Sequence, residues 1–224
     1  TQSQQQLYSR VLRFFGIGES QLVTVLADLI DKQTDPTLAP YAKVGEVTLR
    51  LSTKADSQEE ANVRLNQLEE EILQRDHLRV FFYAYGDDNS LVKTVATLLE
   101  EKKQSLGILE NGTGGLLQAE LSLALAGQPY YSGGKIISQL GTESGGLSEE
   151  ASRIREELQA DLGLVVSVAV KPESTVDNVL AKVYLALAST SGITKKEVDL
   201  GGYSWQYLRQ LACLQALDFV RNTL

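Results

Sequence analysis

A chain of 224 residues, 43% hydrophobic and 22% charged with no low-complexity tract, is long enough to bury one large core or two small ones. Its formal charge of -8 at pH 7 repels phosphate backbones, and Lys102-Lys103 and Lys195-Lys196 are isolated pairs, so direct nucleic-acid binding is not expected. The apolar runs are too short to span a membrane, no signal peptide precedes them, and the single Cys213 excludes an internal disulfide; together these point to the cytoplasm.

From the N-terminus, Tyr8–Phe15 reads as a strand and Gly16-Ile17-Gly18 as a turn. Leu22, Val25, Leu26, Leu29 and Ile30 recur at helical spacing between Glu19 and Asp31, predicting one amphipathic helix. Two prolines within Asp35–Gly45 predict an extended, irregular segment. In Glu46–Lys54, Val47, Leu49 and Leu51 alternate with Thr48, Arg50 and Ser52, the pattern of a half-buried strand. Ser57 caps a helix from Gln58 to about Arg75, and Val80–Tyr85 forms a third strand. This β-α-β-α-β order makes a small α+β module over residues 1–88. His77, beside Arg75, Asp76 and Arg79, reads as an exposed turn residue.

Residues 89–224 read as a second domain. Ser90–Lys103 is a helix, Gln128–Ser138 a turn followed by a strand, and Leu147–Leu158 a helix with an acidic first turn. Leu162–Val170 is almost wholly apolar, as a strand buried on both faces would be, and Val183–Ala188 is another strand. Trp205–Leu224 is a long C-terminal helix whose apolar face holds Cys213. The expected fold class is therefore α/β: a small α+β module followed by a three-layer α/β domain.

Leu106–Gly115 (Leu-Gly-Ile-Leu-Glu-Asn-Gly-Thr-Gly-Gly) is a short apolar strand, a tight loop with three glycines and a helix start. An α/β fold offers backbone N–H groups and a side chain to a ligand at such a place. The stretch resembles the Glu-Ser-x-Thr-Gly-Gly signature of the C-terminal domain of the CinA family, the nicotinamide-nucleotide amidohydrolase (NMN deamidase) domain. Arg10–Ser20 and Asp35–Leu51 resemble that family's KH-like middle region. The resemblance thus covers the chain as the C-terminal two-thirds of a family member, without the molybdopterin-binding-like N-terminal domain linked to ADP-ribose pyrophosphatase activity. The KH likeness implies a fold and not RNA binding, since no Gly-x-x-Gly clamp with basic neighbours is present.

The resemblance also implies a catalytic set: the motif serine as nucleophile, a Tyr-Ser-x-x-x-Lys segment after a double glycine, and a Gly-Ile-Ala-Gly-Pro loop. Glu110, Thr113, Gly114 and Gly115 match the first motif, but Asn111 stands at the nucleophile position and Gly112 follows it. Gly133 and Gly134 match the double glycine, whereas Ser138 stands at the tyrosine position. No lysine follows before Lys171, because the segment is shortened through Gly141–Gly146. Val168–Pro172 keeps only Pro172 of the last loop. An asparagine amide cannot form an acyl intermediate, so the set reads as degenerate at Asn111 and Ser138, with no intact nucleophile.

Glu110, Thr113, Gly114, Gly115, Gly133, Gly134 and Pro172 remain as candidate binding residues for a nicotinamide nucleotide. Thr113 or Ser138 as nucleophile, with Lys135 or Lys171 as base, is the alternative route to catalysis. Gly141–Gly146 lacks the Lys-Ser/Thr of a phosphate loop, no cluster has metal-ligand spacing, and neither metal nor cofactor is expected. The leading expectation is a catalytically inactive domain acting in assembly or partner binding, which the resemblance ties to natural competence and DNA damage. The alternatives are an active amidohydrolase of NAD salvage and a nucleotide sensor without turnover. The resemblance further implies a homodimer and an association with the recombinase RecA.

Overall fold

The computed structural model describes residues 5–138 and 144–224, and the chain divides into two compact units, one running to Ser90 and the other from Leu91 to Leu224. The first unit contains β1 (Gln6–Phe15), α1 (Glu19–Val25), α2 (Ala27–Lys32), β2 (Thr37–Lys43), β3 (Glu46–Ala55), α3 (Gln58–Gln74), a short 3-10 helix (Arg75–Val80) and β4 (Phe82–Tyr85). Its sheet is antiparallel in the order β2-β3-β1-β4. Leu12, Phe14, Leu22, Leu26, Leu49, Leu51 and Ile72 form the centre of its core.

Three expectations for this unit need correction. Its order is not β-α-β-α-β: the proline segment pairs in full with β3, with Pro40 opposite Leu49. As an edge strand, β2 has an outer side that needs no N–H donor, so the proline is tolerated there. The single helix from Glu19 is two short ones broken at Leu26 (φ -103, ψ 9), which leaves both Leu22 and Leu26 buried. Val80 belongs to the 3-10 helix, in which Asp76 and the exposed His77 take φ of 40 and 59, so the last strand begins only at Phe82. The Ser57 cap is present, its side chain accepting from Glu60 N–H at 3.1 Å.

The second unit contains α4 (Leu91–Lys102), β5 (Leu106–Asn111), α5 (Leu116–Ala124), β6 (Tyr131–Ile137), α6 (Ser144–Glu157), β7 (Leu162–Val170), β8 (Val179–Ser189), β9 (Gly192–Tyr203) and α7 (Trp205–Thr223). The sheet order is β6-β5-β7-β8-β9; β6, β5 and β7 are parallel, and β8 and β9 continue as an antiparallel meander. Strand and helix therefore do not alternate to the end of the domain. The sequence reading missed β9, whose Lys195, Lys196, Glu197 and Asp199 suit a solvated edge strand better than a core pattern. Helix α6 starts three residues earlier than expected, which places Glu149 and Glu150 beyond its first turn.

The helices take both faces of this sheet. Leu109 and Val165 pack with Leu147, Ala151 and Ile154 of α6, and a Cβ on Gly163 would stand 2.1 Å from the Ala151 carbonyl. Helix α7 packs across β7, β8 and β9 and against α4 and α5, completing three layers. No helix among the described residues is long and apolar enough to cross a membrane.

Candidate functional site

Every residue of β5 is buried, and because successive strand residues face opposite ways, Glu110 and Asn111 serve opposite faces of the sheet. Glu110 turns toward α5. That helix has Gly115 at its N-cap, which has no side chain to accept from the first-turn N–H groups. Glu110 supplies the missing acceptor: its carboxylate takes Gln118 N–H at 2.8 Å, Leu117 N–H at 3.3 Å and the Thr113 hydroxyl at 2.5 Å. An internal anion therefore occupies the helix start where a bound phosphate would otherwise be favoured.

Asn111 turns the other way. Its Nδ2 donates to the Ile137 carbonyl on β6 at 3.1 Å, and its Oδ1 accepts from Ser167 Oγ on β7 at 3.1 Å. The register places Asn111 directly beside both residues, so the amide clasps three parallel strands at their carboxyl ends. Thr113 is fully buried, and its carbonyl accepts from Arg209 Nε at 3.0 Å and Nη2 at 2.6 Å. Gly112, at φ 81, lies so close to Val168 that a Cβ would stand 2.8 Å from the valine Cβ. Among the described residues, no buried side-chain nitrogen or oxygen lacks a hydrogen-bond partner.

The other sequence-predicted residues are placed as follows. Gly133, at φ 114, marks a register shift between β5 and β6, and Gly134 admits the Gln118 side chain and the Ile108 carbonyl, which would crowd any Cβ. Ser138 is exposed just after β6, and Pro172 is exposed in the turn after β7. Lys135 pairs with Glu157, and Lys171 pairs with Asp199 at 2.9 Å. Residues 141–143 of the Gly141–Gly146 stretch lie outside the described residues, and Gly145 and Gly146 belong to the first turn of α6.

Partial desolvation and the nearby Glu110 charge raise the pKa of the exposed Glu120 and of the half-buried Tyr131 phenol, and burial pushes the Cys213 thiol up. Among the described residues no group of His, Cys, Asp and Glu could hold a metal ion. Sequence reasoning missed Ser167, Arg209 and Gln118. Ser167 is the one polar side chain in Leu162–Val170, which was the available signal; Arg209, 96 residues from Thr113, gave none.

Fold and site together define a two-unit protein: a βααββαβ module, and an α/β domain built around a glycine-loop motif. Residues 9–84 match the family described as the damage-inducible protein CinA KH domain. The whole chain aligns with a competence-damage inducible protein of Streptococcus suis at 82% identity, covering 57% of that relative. A counterpart from Streptococcus gordonii is 41% identical over 98% of this chain and 58% of its own length. That alignment runs over 243 positions, so the relative carries residues with no counterpart here. The chain thus spans somewhat more than half the length of these curated relatives.

A CinA superfamily structure from Escherichia coli superimposes with a TM-score of 0.50 at 19% identity, covering 62% of this chain and 93% of that one. One from Klebsiella pneumoniae gives 0.50 at 21% identity, covering 59% and 93%. At these identities the structures speak for the fold. The chain belongs to the CinA family of competence/damage-inducible proteins.

Proposed function

We propose that the α/β domain is a catalytically inactive relative of the nicotinamide-nucleotide amidohydrolases and that the chain acts in assembly or partner binding, in natural competence and the response to DNA damage. The observation that carries this reading is Asn111. It stands where the family motif places a serine, and both ends of its amide are engaged by Ile137 and Ser167 at 3.1 Å. An amide is not a nucleophile for acyl transfer.

The surrounding groups support the same reading. The Thr113 hydroxyl is buried on Glu110, and Lys135 and Lys171 are paired with surface carboxylates. The α1–α2 junction around Leu26 holds no glycine pair, which supports a KH-type fold used without nucleic acid. The proposal extends to a cytoplasmic homodimer that associates with the recombinase RecA. Light scattering of the purified chain tests the first, and co-precipitation with purified RecA tests the second.

Inactivity is tested by measuring ammonia released from nicotinamide mononucleotide by the chain and by its Asn111→Ser variant. No turnover by the unmodified chain is the expected result. Multiple turnovers would overturn the reading and direct attention to Thr113 or Ser138.

A further inference from the structure

The chain contains one Asn-Gly dipeptide, and it is Asn111-Gly112. In such a pair no side chain shields the glycine nitrogen from the asparagine side chain. The Gly112 nitrogen can attack Asn111 Cγ: the N–Cγ bond forms, the Cγ–Nδ2 bond breaks, and ammonia leaves with the displaced amide proton. Water then opens the cyclic imide, at Cγ to give aspartate or at the main-chain carbonyl to give isoaspartate. The attack is intramolecular, so burial alone does not prevent it; the freedom of the side-chain amide to turn onto the glycine nitrogen does.

In this fold that freedom is removed. Nδ2 is held by the Ile137 carbonyl, Oδ1 by the Ser167 hydroxyl, and the Asn111 main chain is in register between β6 and β7. We propose that Asn111-Gly112 is a guarded deamidation site, kept intact by the Ile137–Asn111–Ser167 clasp and converted to aspartate or isoaspartate when the clasp opens. Conversion is one-way. A carboxylate at position 111 would face the Ile137 carbonyl acceptor to acceptor, with no proton to share, so the side-chain link from residue 111 to the edge strand β6 could not re-form. Isoaspartate would in addition lengthen the main chain by one carbon just before the glycine loop.

This inference is independent of the amidohydrolase question, because deamidation at Asn111 yields at most one ammonia per chain whereas hydrolysis of a substrate yields many. The test ages the chain and its Ser167→Ala variant at mildly alkaline pH, folded and in urea. Peptide mass spectrometry then follows residue 111 for loss of the amide and gain of isoaspartate. The folded chain is expected to lose the amide at least about tenfold more slowly than the same chain in urea, since reaction requires local opening. Folded Ser167→Ala is expected to react about two- to tenfold faster than the folded parent, the worth of one hydrogen bond, and at the parent's rate in urea. If Ser167→Ala does not fold, Ser167→Cys keeps the volume with only a weak donor and carries the same expectation. Equal rates in the folded and unfolded parent, or no acceleration in the folded variant, would overturn the proposal.

Discussion

The two ends of the five-stranded sheet treat their polar groups in opposite ways. At the carboxyl end of β5, Glu110, Asn111 and Thr113 are buried and bond to one another, to the α5 start and to neighbouring strands. At the opposite end, Gln104, Leu162, Ser189, Ser191, Thr194 and Thr223 line an open, largely polar cavity of about 640 Å³. Open α/β sheets usually take ligands at the carboxyl ends of their strands. Here the motif at that end works as a fold element: its carboxylate caps a helix, its amide ties strands, and its glycines admit close neighbours. A signature can therefore keep its turn geometry while its polar side chains face inward.

Substitutions at the motif end should separate these roles. The largest effect is expected for Glu110→Ala, which leaves two helix N–H groups and the Thr113 hydroxyl without their acceptor and opens a cavity, at a cost of about 4 kcal/mol in urea unfolding. Glu110→Gln, which keeps one acceptor, should cost roughly half as much. Gly112→Ala combines a left-handed φ of 81 with a contact at 2.8 Å to Val168 and should cost about 3 kcal/mol. Val168 lies in a strand and cannot move aside.

Arg209→Ala removes two hydrogen bonds to the Thr113 carbonyl, at about 1–2 kcal/mol. A Cβ on Gly114 would stand 2.4 Å from Arg209 Nη2. The double variant Gly114→Ala/Arg209→Ala should therefore cost less than the sum of the singles, by about 1 kcal/mol in a double-mutant cycle. Strict additivity would show that Arg209 does not brace the loop.

The smallest effect distinguishes the two ends by pH. At the cavity end, Asp161 accepts from the Ser105 N–H at 2.8 Å and hydroxyl at 2.9 Å, which hold its pKa below the ordinary carboxylate value. A depressed folded pKa gives stability that is complete above the unfolded value and is lost as pH falls through the folded one. Asp161→Asn should therefore flatten part of the acid-side slope in urea midpoints; the residue is exposed, so the change is small. Glu120 has the opposite sign. Partial desolvation and Glu110 raise its pKa, so its charge is slightly unfavourable at neutral pH and the fold gains stability as pH falls through the folded value; this residue is exposed as well, so the effect is small. Glu120→Gln should raise stability slightly at neutral pH and remove that gain.

Strong local patterns were legible in the sequence. Leu162–Val170 read as a strand buried on both faces, Ser57 announced α3, and the apolar spacing after Trp205 announced α7. What escaped depends on position in the sheet. Pro40 in β2 and the charged β9 look unlike strands until each is seen to be an edge, and the break at Leu26 leaves helical spacing intact on both sides. At the site, the motif and the asparagine within it were readable, but their partners were not. Ser167 is 56 residues from Asn111 and Arg209 is 96 from Thr113, and no local period links residues so far apart.

The central claim, that the motif end is satisfied from within, is tested most directly by titrating the isotopically labelled chain with nicotinamide mononucleotide. The resonances to follow are the backbone amides of Gly112, Gly114, Gly115, Leu117 and Gln118. Resonances that stay in place at saturating nucleotide are the predicted result, because Glu110 already holds the α5 N–H groups that a phosphate would seek. Saturable shifts confined to these amides would contradict the account and establish a nucleotide site.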